Sequence, residues 1–519
     1  MPLSYIDKIL RARIYDLARE TDLDLMKRLS RRLDNTILLK REDQQPVFSF
    51  KLRGAHNKIR SLSAAERERG VIAASAGNHA QGVALSARTL GIKSMIVMPN
   101  TTPPIKVEAV RALGANTILF GDSYDEAFAH SQELVRRHGM SYVHPFDDPA
   151  VIAGQGTIGM ELLRQMPEPP SVLFIPVGGG GLLAGVAAYI KYVSPETRII
   201  GVEPEDAPTL YRALEAGRRV SLRQVGLFAD GVAVRQIGKE TFRLARQLVD
   251  EVILVTTDEI CAAIKDIFDD TRSIAEPAGA LAIAGLKRYV QREGSRGEYL
   301  GAILSGANMN FDRLRHVAER AELGEQREAL LAVEIPERPG SFLGFCKAIG
   351  RRSITEFNYR YSDSSRANIF VGVEMPDGEA QKSALINHLR EQGYPVLDLS
   401  ENETAKLHIR YMVGGHAPQV EQENLYRFEF PERPGALLDF LARLGRHWNI
   451  SLFHYRNHGA AYGRVLIGLQ FSRKERKEVR ALLNELGYRW YEESDNPAWR
   501  LFAGSGSSSC TVTELGAKE

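Results

Sequence analysis

Residues 172–190 read VLFIPV, then GGGG, then LLAGVAAYI, with the glycines at 178–181. The apolar run before the glycines predicts a buried strand, and the longer apolar run after them predicts a buried helix. Four glycines between a strand and a helix let the backbone turn tightly and reach positive φ. They also let several N–H groups point toward one place, and the helix adds its unpaired first-turn amides and the positive end of its dipole. Such an arrangement is a cradle for an anion, most simply a phosphate. A plain strand-to-helix crossover is the alternative, but four glycines in a row carry a large entropic cost for that purpose.

The common nucleotide motifs do not fit this run. No Gly-x-x-x-x-Gly-Lys-Ser/Thr string occurs. The glycines lack the Gly-x-Gly-x-x-Gly spacing and lie far from an opening βαβ unit. Glu203, at the end of TRIIGVEPE, stands about where a dinucleotide fold places its ribose carboxylate, which keeps a nicotinamide reading as an alternative. A phosphorylated cofactor that bonds covalently to a lysine fits better, if a suitable lysine exists.

A chain of 519 residues exceeds one ordinary core, so two or three domains are expected. With 67 basic against 65 acidic side chains, and no finger, RNP motif or basic stripe, nothing supports a nucleic-acid partner. Cys261, Cys346 and Cys510 match neither a metal spacing nor a disulfide framework, so no metal is expected. The opening residues carry charges throughout and contain no secretory apolar core. Residues 171–190 have transmembrane length, but Pro176 and the glycines interrupt them. The expectation is a cytoplasmic protein without a membrane partner.

Residues 1–24 read as helical. From about 48 to 310, strand patterns such as VIAA, SMIVMP, NTILF, RIIGVEP, EVILVTT and YLGAILSG alternate with helical ones. That alternation predicts an α/β fold with a mostly parallel sheet, whose ligands gather beyond the carboxyl ends of the strands. The SAGN, GGGG and LSGAN segments all fall there. After residue 320 a charged helical connector leads into a repeat. PERPG occurs at 336–340 and again at 431–435, and ITEFNYR (354–360) returns as ISLFHYR (450–456). Two matching strings in one order at nearly one spacing imply two homologous α+β modules. The expected division is 1–320, 321–415, 416–503 and a flexible tail at 504–519.

Three segments of the first region carry chemistry. Lys51 lies among apolar and aromatic neighbours in FSFKLRGAHNKI, where burial lowers a lysine pKa and frees the amine for covalent work. Snorkelling of the side chain to solvent is the alternative. Asn78 follows Ser75-Ala76-Gly77 at a strand-to-helix turn. Its amide can donate to a phenolate while backbone N–H groups hold a carboxylate, or it can serve as a simple Asx turn. Ser305 in AILSGAN offers a neutral hydroxyl, which leaves a pyridine nitrogen largely unprotonated and favours elimination over transamination. Alone, it reads equally as a capping serine.

With these motifs in place, the chain resembles the biosynthetic, allosteric threonine ammonia-lyases, which are fold-type II pyridoxal-phosphate enzymes. The likeness rests on SFKLRGAHNKI, SAGNHAQGVALSA, VGGGGLLAG, EPAGA and LSGANMNFDRLRHVAER, and continues through FNYRY, KLHIRYMVGG, PERPGAL and ISLFHYR. It implies a catalytic region followed by two ACT-like regulatory modules. It implies pyridoxal 5'-phosphate as cofactor, covalently joined to Lys51, with Phe50 beside the ring and Asn78 on the 3-hydroxyl. Gly178, Gly179, Gly180, Gly181 and Leu182 would hold the phosphate, and Ser305 would face the pyridine nitrogen. Ser75, Gly77, Asn78 and His79 would line the substrate carboxylate pocket, with a structural hydrogen bond favoured over a base role for His79.

The implied reaction takes L-threonine to 2-oxobutanoate and ammonia, and L-serine to pyruvate by the same route. Lys51 removes the Cα proton, and the hydroxyl leaves protonated, by Lys51 or by the cofactor phosphate. The resemblance further implies isoleucine as inhibitor, valine as its opponent, and a homotetramer. Each repeat offers a proline-glycine turn opening a helix, where free amides can hold a carboxylate. Each also carries a tyrosine, Tyr359 and Tyr455, that either meets the effector or fills the module core. A serine dehydratase or racemase of the same fold and a non-catalytic amino-acid sensor are the competing readings. Racemases of this type carry serine directly before the Gly-Asn pair, where this chain has Ala76.

Overall fold

The computed structural model describes residues 3–226, 228–311, 313–325, 327–360, 366–402, 405–406, 417, 419–431, 436–444, 448–456, 462–486, 488–496 and 499. They fall into two compact units, Met1–Gly324 and Glu325–Glu519.

The first unit opens with helix α1 (Leu3–Leu10), strand β1 (Leu23–Leu25), α2 (Lys27–Leu33) and β2 (Thr36–Arg41). Helices α3 (Lys51–Arg60) and α4 (Ala64–Arg69) precede β3 (Val71–Ala74). Then follow α5 (Asn78–Thr89), β4 (Ser94–Met98), α6 (Pro104–Ala112), β5 (Asn116–Leu119), α7 (Tyr124–His138) and β6 (Ser141–Tyr142). The chain continues through α8 (Pro149–Gln165), β7 (Val172–Pro176), α9 (Gly181–Val193), β8 (Arg198–Pro204), α10 (Thr209–Glu215) and α11 (Lys239–Leu248). Strand β9 (Glu251–Val255), α12 (Thr257–Thr271), α13 (Pro277–Glu293), β10 (Tyr299–Leu304) and α14 (Arg313–Gly324) complete it.

Two sheets result. One has the order β5-β4-β3-β6 and is parallel throughout. The other has the order β1-β2-β10-β7-β8-β9 and is parallel except where β1 meets β2. The larger sheet is buried on both faces, as continuous apolar strands require. Ile37, Leu39, Phe174, Val202 and Leu304 pack into one core, while Leu38, Leu173, Ile175, Ile199 and Ile303 pack into the other. Neighbouring residues on each strand thus serve opposite cores, the period of two that strands impose.

The opening segment differs from its helical reading, because α1 stops at Leu10. Beyond it Ile14 and Ala18 insert beside Val47 and Leu52, and Gln45 Oε1 accepts from Arg19 N at 2.9 Å. Those long-range contacts outweigh the local helix preference. At the other end α14 packs on α12, where a Cβ on Gly324 would stand 2.0 Å from Asp258 O. The first unit therefore ends at 324, four residues past the expected boundary.

In the second unit, β11 (Glu328–Pro336), α15 (Ser341–Ile349), β12 (Ile354–Arg360), β13 (Arg366–Glu374), α16 (Glu379–Glu391) and β14 (Val396–Asp398) form the first repeat. The second repeat is β15 (Glu423–Pro431), α17 (Ala436–Leu444), β16 (Asn449–Arg456), β17 (Tyr462–Gln470), α18 (Arg476–Glu485) and β18 (Arg489–Glu492). Both share one eight-stranded sheet, β14-β11-β13-β12-β16-β17-β15-β18, joined antiparallel at β12 and β16. The register pairs Phe357 with Tyr455 and Tyr359 with Phe453, so equivalent residues exchange places across the seam. Tyr359 and Tyr455 are buried in the common core, and the Tyr359 hydroxyl donates to Glu337 Oε2. The modules thus join edge to edge within one chain. Residues 432–435 of the second PERPG string, 407–415 of KLHIRYMVGG and the 504–519 tail lie outside the described residues.

Among the described residues no helix is long and apolar enough to cross a membrane.

Candidate active site

The segments leaving β7 and β10 and the starts of α3, α5 and α9 meet at one cavity. Phe50, Lys51, Asn78, Gly178, Gly179, Gly180, Gly181, Leu182 and Ser305 all line it, together with Pro145, Phe146, Gln155, Gly231, Val232, Glu276 and Ala278. Ser75 and Gly77 belong to the turn between β3 and α5, and His79 is the second residue of α5; none of the three is part of this lining. The His79 ring is instead buried against Val143 O, with Nε2 at 2.8 Å. Burial, then the nearby Lys51 charge, pushes its pKa down to about 3, so the imidazole is neutral and committed to that carbonyl.

Lys51 is the first residue of α3. Its Nζ donates to Pro145 O at 3.0 Å and lies 5.2 Å from the Phe50 ring centroid. Desolvation lowers its pKa to about 8, with the Glu276 carboxylate acting in the opposite direction. A neutral amine is therefore accessible near physiological pH.

Asn78 opens α5. Its Nδ2 donates to Glu276 Oε1 at 2.6 Å, and its Oδ1 accepts from Asn308 Nδ2 at 2.6 Å. Asn308 Nδ2 also donates to Val47 O at 2.9 Å. An acceptor on one side and a donor on the other settle which end of the Asn78 amide is nitrogen. One Nδ2 hydrogen goes to Glu276, and the second is free for a phenolate oxygen. Ser305 follows β10, is buried, and donates to Ala278 O at 3.3 Å.

The glycine run is tightly enclosed. Gly180 has φ +87°, a left-handed conformation that glycine adopts without strain. A Cβ on Gly179 would lie 2.1 Å from the Phe146 ring, so no larger residue fits. Thr241 Oγ1 braces the turn by donating to Gly179 O at 2.7 Å. No side chain caps α9, whose first-turn amides remain available to a ligand.

Glu203 is engaged elsewhere. Its buried carboxylate accepts from Leu210 N at 2.8 Å and Tyr211 N at 2.9 Å, at the start of α10. Burial pushes its pKa up to about 8 against those hydrogen bonds. The ribose-binding reading of Glu203, and with it the nicotinamide alternative, is set aside.

Glu276 and Asn308 carry no role in the sequence reading. Glu276 stands before Pro277 at the start of α13, which reads as an ordinary cap, yet it makes no capping bond. Only the fold brings it to Asn78, 198 residues away in sequence. Desolvation first, then the Asp230 charge, raises its pKa to about 7, opposed by Asn78, Lys106 and Lys51. In the cofactor-free protein, the unfolded chain releases this proton near the ordinary 4.5, before the folded chain does. Stability contributed by Glu276 therefore falls as pH rises from about 4.5 to about 7, then levels. Glu276→Gln removes that fall. Urea unfolding at about pH 5 and about pH 7.5 should show the variant gaining on the wild type at the higher pH. Glu203 contributes equally to both proteins and cancels, so parallel pH slopes would count against this assignment.

A lysine amine of lowered pKa, an oriented amide, a neutral hydroxyl and an uncapped helix start behind close-packed glycines fit a pyridine aldehyde carrying a phosphate. The family profile described as pyridoxal-phosphate dependent enzyme matches residues 14–306, more than half of the chain. The profile of the C-terminal regulatory domain of threonine dehydratase matches twice, at 319–409 and 414–503. A biosynthetic L-threonine dehydratase of Burkholderia multivorans is 55% identical over 501 residues, covering 96% of this chain and 99% of the relative. A chloroplastic biosynthetic threonine dehydratase of Arabidopsis thaliana is 50% identical, covering 96% and 84%. Among solved structures, the processed form of threonine deaminase isoform 2 from Solanum lycopersicum has 51% identity and a TM-score of 0.61, covering 62% of this chain and 93% of that one. Maize serine racemase has 32% identity and a TM-score of 0.57, covering 60% and 96%.

The first unit is thus the catalytic region of a pyridoxal-phosphate-dependent enzyme. It is followed by a regulatory region built from two copies of one module. Within that class, the chain belongs to the biosynthetic threonine dehydratase family.

Proposed function

We propose that this chain deaminates L-threonine to 2-oxobutanoate and ammonia at the Lys51 cavity, under feedback control by isoleucine acting on the paired modules, with valine opposing. The observation that carries the reading is the convergence of Lys51, Asn78, the glycine run and Ser305 on one cavity. Pyridoxal phosphate, when bound, supplies a covalent electron sink for the Cα carbanion. Lys51 Nζ is the group that moves the Cα proton, and its lowered pKa suits that exchange near neutral pH. Asn78, locked between Glu276 and Asn308, would direct its second N–H to the cofactor's 3-hydroxyl. Ser305 would give the ring nitrogen a neutral partner, which favours elimination. Ala76 denies the opposite face the serine hydroxyl that a racemase uses as its second base.

For the regulatory unit, the seam between β12 and β16 joins Tyr359 and Tyr455 in one core. A ligand that prefers one packing of that seam would shift its equilibrium, provided its affinities for the two packings differ. We read the assembly as a homotetramer on the family resemblance.

Steady-state turnover of L-threonine and L-serine, with D-serine assayed as product, tests the reaction. Threonine should have the highest kcat/KM and no D-serine should form. Preferred conversion of serine to D-serine would overturn the reading. In the same assay isoleucine should depress threonine turnover and valine should restore it. Indifference to isoleucine would remove the feedback claim while leaving the chemistry.

A further inference from the structure

Gln155 lies between two glycines on α8, in the string Gly154-Gln155-Gly156. A Cβ on Gly154 would stand 2.6 Å from Arg53 O, and one on Gly156 would stand 2.9 Å from Gly185 O. The two glycines therefore let α8 press against α3 on one side and α9 on the other. Helix α3 begins with Lys51, and α9 begins with the glycine run. Gln155 is held between those two helices and lines the cavity onto which both open. It is 1% exposed, and its Oε1 has no hydrogen-bond partner. Buried side-chain amides are nearly always bonded, so an unpartnered one on a ligand cavity points to the ligand. On the opposite side, a Cβ on Gly54 would stand 2.3 Å from Nε2, so α3 backbone closes that approach.

We propose that Gln155 is a further ligand of the cofactor phosphate, donating an amide N–H to a phosphate oxygen held by the glycine run. This rests on the placement of the phosphate at residues 178–182. A half-turn about the last side-chain torsion exchanges the two amide ends and presents the nitrogen to the anion. The main-chain amides of the run then serve the phosphate from one side, and α8 adds a side-chain donor from another. A hydrogen bond to an ionised phosphate is stronger than one between neutral groups, so a single donor has a measurable share in affinity.

The test is equilibrium binding of pyridoxal phosphate and of phosphate-free pyridoxal to the cofactor-free full-length protein, followed by absorbance. Gln155→Leu should weaken pyridoxal phosphate binding by about tenfold or more, and pyridoxal binding by less than about twofold. Gln155→Glu should weaken pyridoxal phosphate further, because it sets a carboxylate against the anion. Equal losses for both compounds would mean that Gln155 only packs, and unchanged affinity for pyridoxal phosphate would equally overturn the proposal. Gln155→Met, of similar length and checked by circular dichroism, replaces the leucine variant if that one misfolds. Thr241→Val is the control for the glycine run. If it separates the two compounds and Gln155→Leu does not, Gln155 alone is misassigned. If neither variant separates them, the phosphate is not at the glycine run and both readings fall.

Discussion

Lys51→Ala should lower threonine turnover by about three orders of magnitude or more, because it removes both the covalent anchor and the group that moves the Cα proton. The surroundings of Lys51 give this substitution its specificity. The amine is held at 3.0 Å from Pro145 O and its pKa is lowered to about 8 by desolvation. Removing it creates no buried unpaired charge, so the variant should fold with near wild-type circular dichroism. Visible absorbance of the bound cofactor should change, and borohydride should no longer fix the cofactor to the protein. In the wild type, borohydride should mark the peptide holding Lys51; a mark on another lysine would sink the assignment. A linked expectation concerns pH. Only the neutral amine attacks an aldehyde, so cofactor capture by the cofactor-free protein should quicken as pH rises toward about 8 and then level. A small exogenous amine should partly restore turnover to the alanine variant, since it can take the proton that Lys51 no longer takes.

What could be read from the sequence followed from how local each signal was. The run at 172–190 predicts strand, turn and helix, and the structure places β7, the glycines and α9 there, because each element is dictated by its own residues. The PERPG and FxYR repeats likewise announce two modules. Their joining into one sheet through β12 and β16 was not legible, since nothing in a single repeat says which edge it presents. In the site, Lys51, Asn78 and Ser305 stand at strand or helix ends with conspicuous neighbours. Glu276 and Asn308 do not. Their importance arises from contacts with Asn78 that join residues about 200 or more positions apart in sequence. Glu203 shows the converse: its position imitates a ribose-binding acid, but the fold turns its carboxylate onto the backbone of α10. His79 follows Asn78 in the chain yet faces Val143, because the first turn of a helix sends successive side chains in different directions.

The second large effect lies beneath the cavity. Arg53, two residues after Lys51 on α3, is fully buried between Glu42 and Glu161, which are also fully buried. Its Nε and Nη2 reach Glu42 at 2.7 Å each, and its Nη1 and Nη2 reach Glu161 at 2.5 and 2.8 Å. Lys40, equally buried, approaches Glu161 Oε2 at 2.7 Å. Two cations and two carboxylates thus balance inside the core and tie α3 to β2 and α8. Arg53→Met should destabilise the protein by about 3–5 kcal/mol, because it leaves two buried carboxylates facing one lysine. The measurement is the shift in urea midpoint at unchanged slope. The loss should shrink in acid. An orphaned carboxylate takes up a proton with a raised pKa, while in the wild type Glu161, held low chiefly by Arg53 against desolvation, loses its ion pairs as pH falls. The expected loss reports the stranded charge and not the net worth of the network, since a buried ion pair is often no better than apolar packing. Adding Glu42→Leu to Arg53→Met should therefore recover part of the stability, because Lys40 and Glu161 remain as a balanced pair. A double variant no more stable than the single one would assign the loss to packing around the guanidinium, and α3 would then owe its position to shape and not to charge.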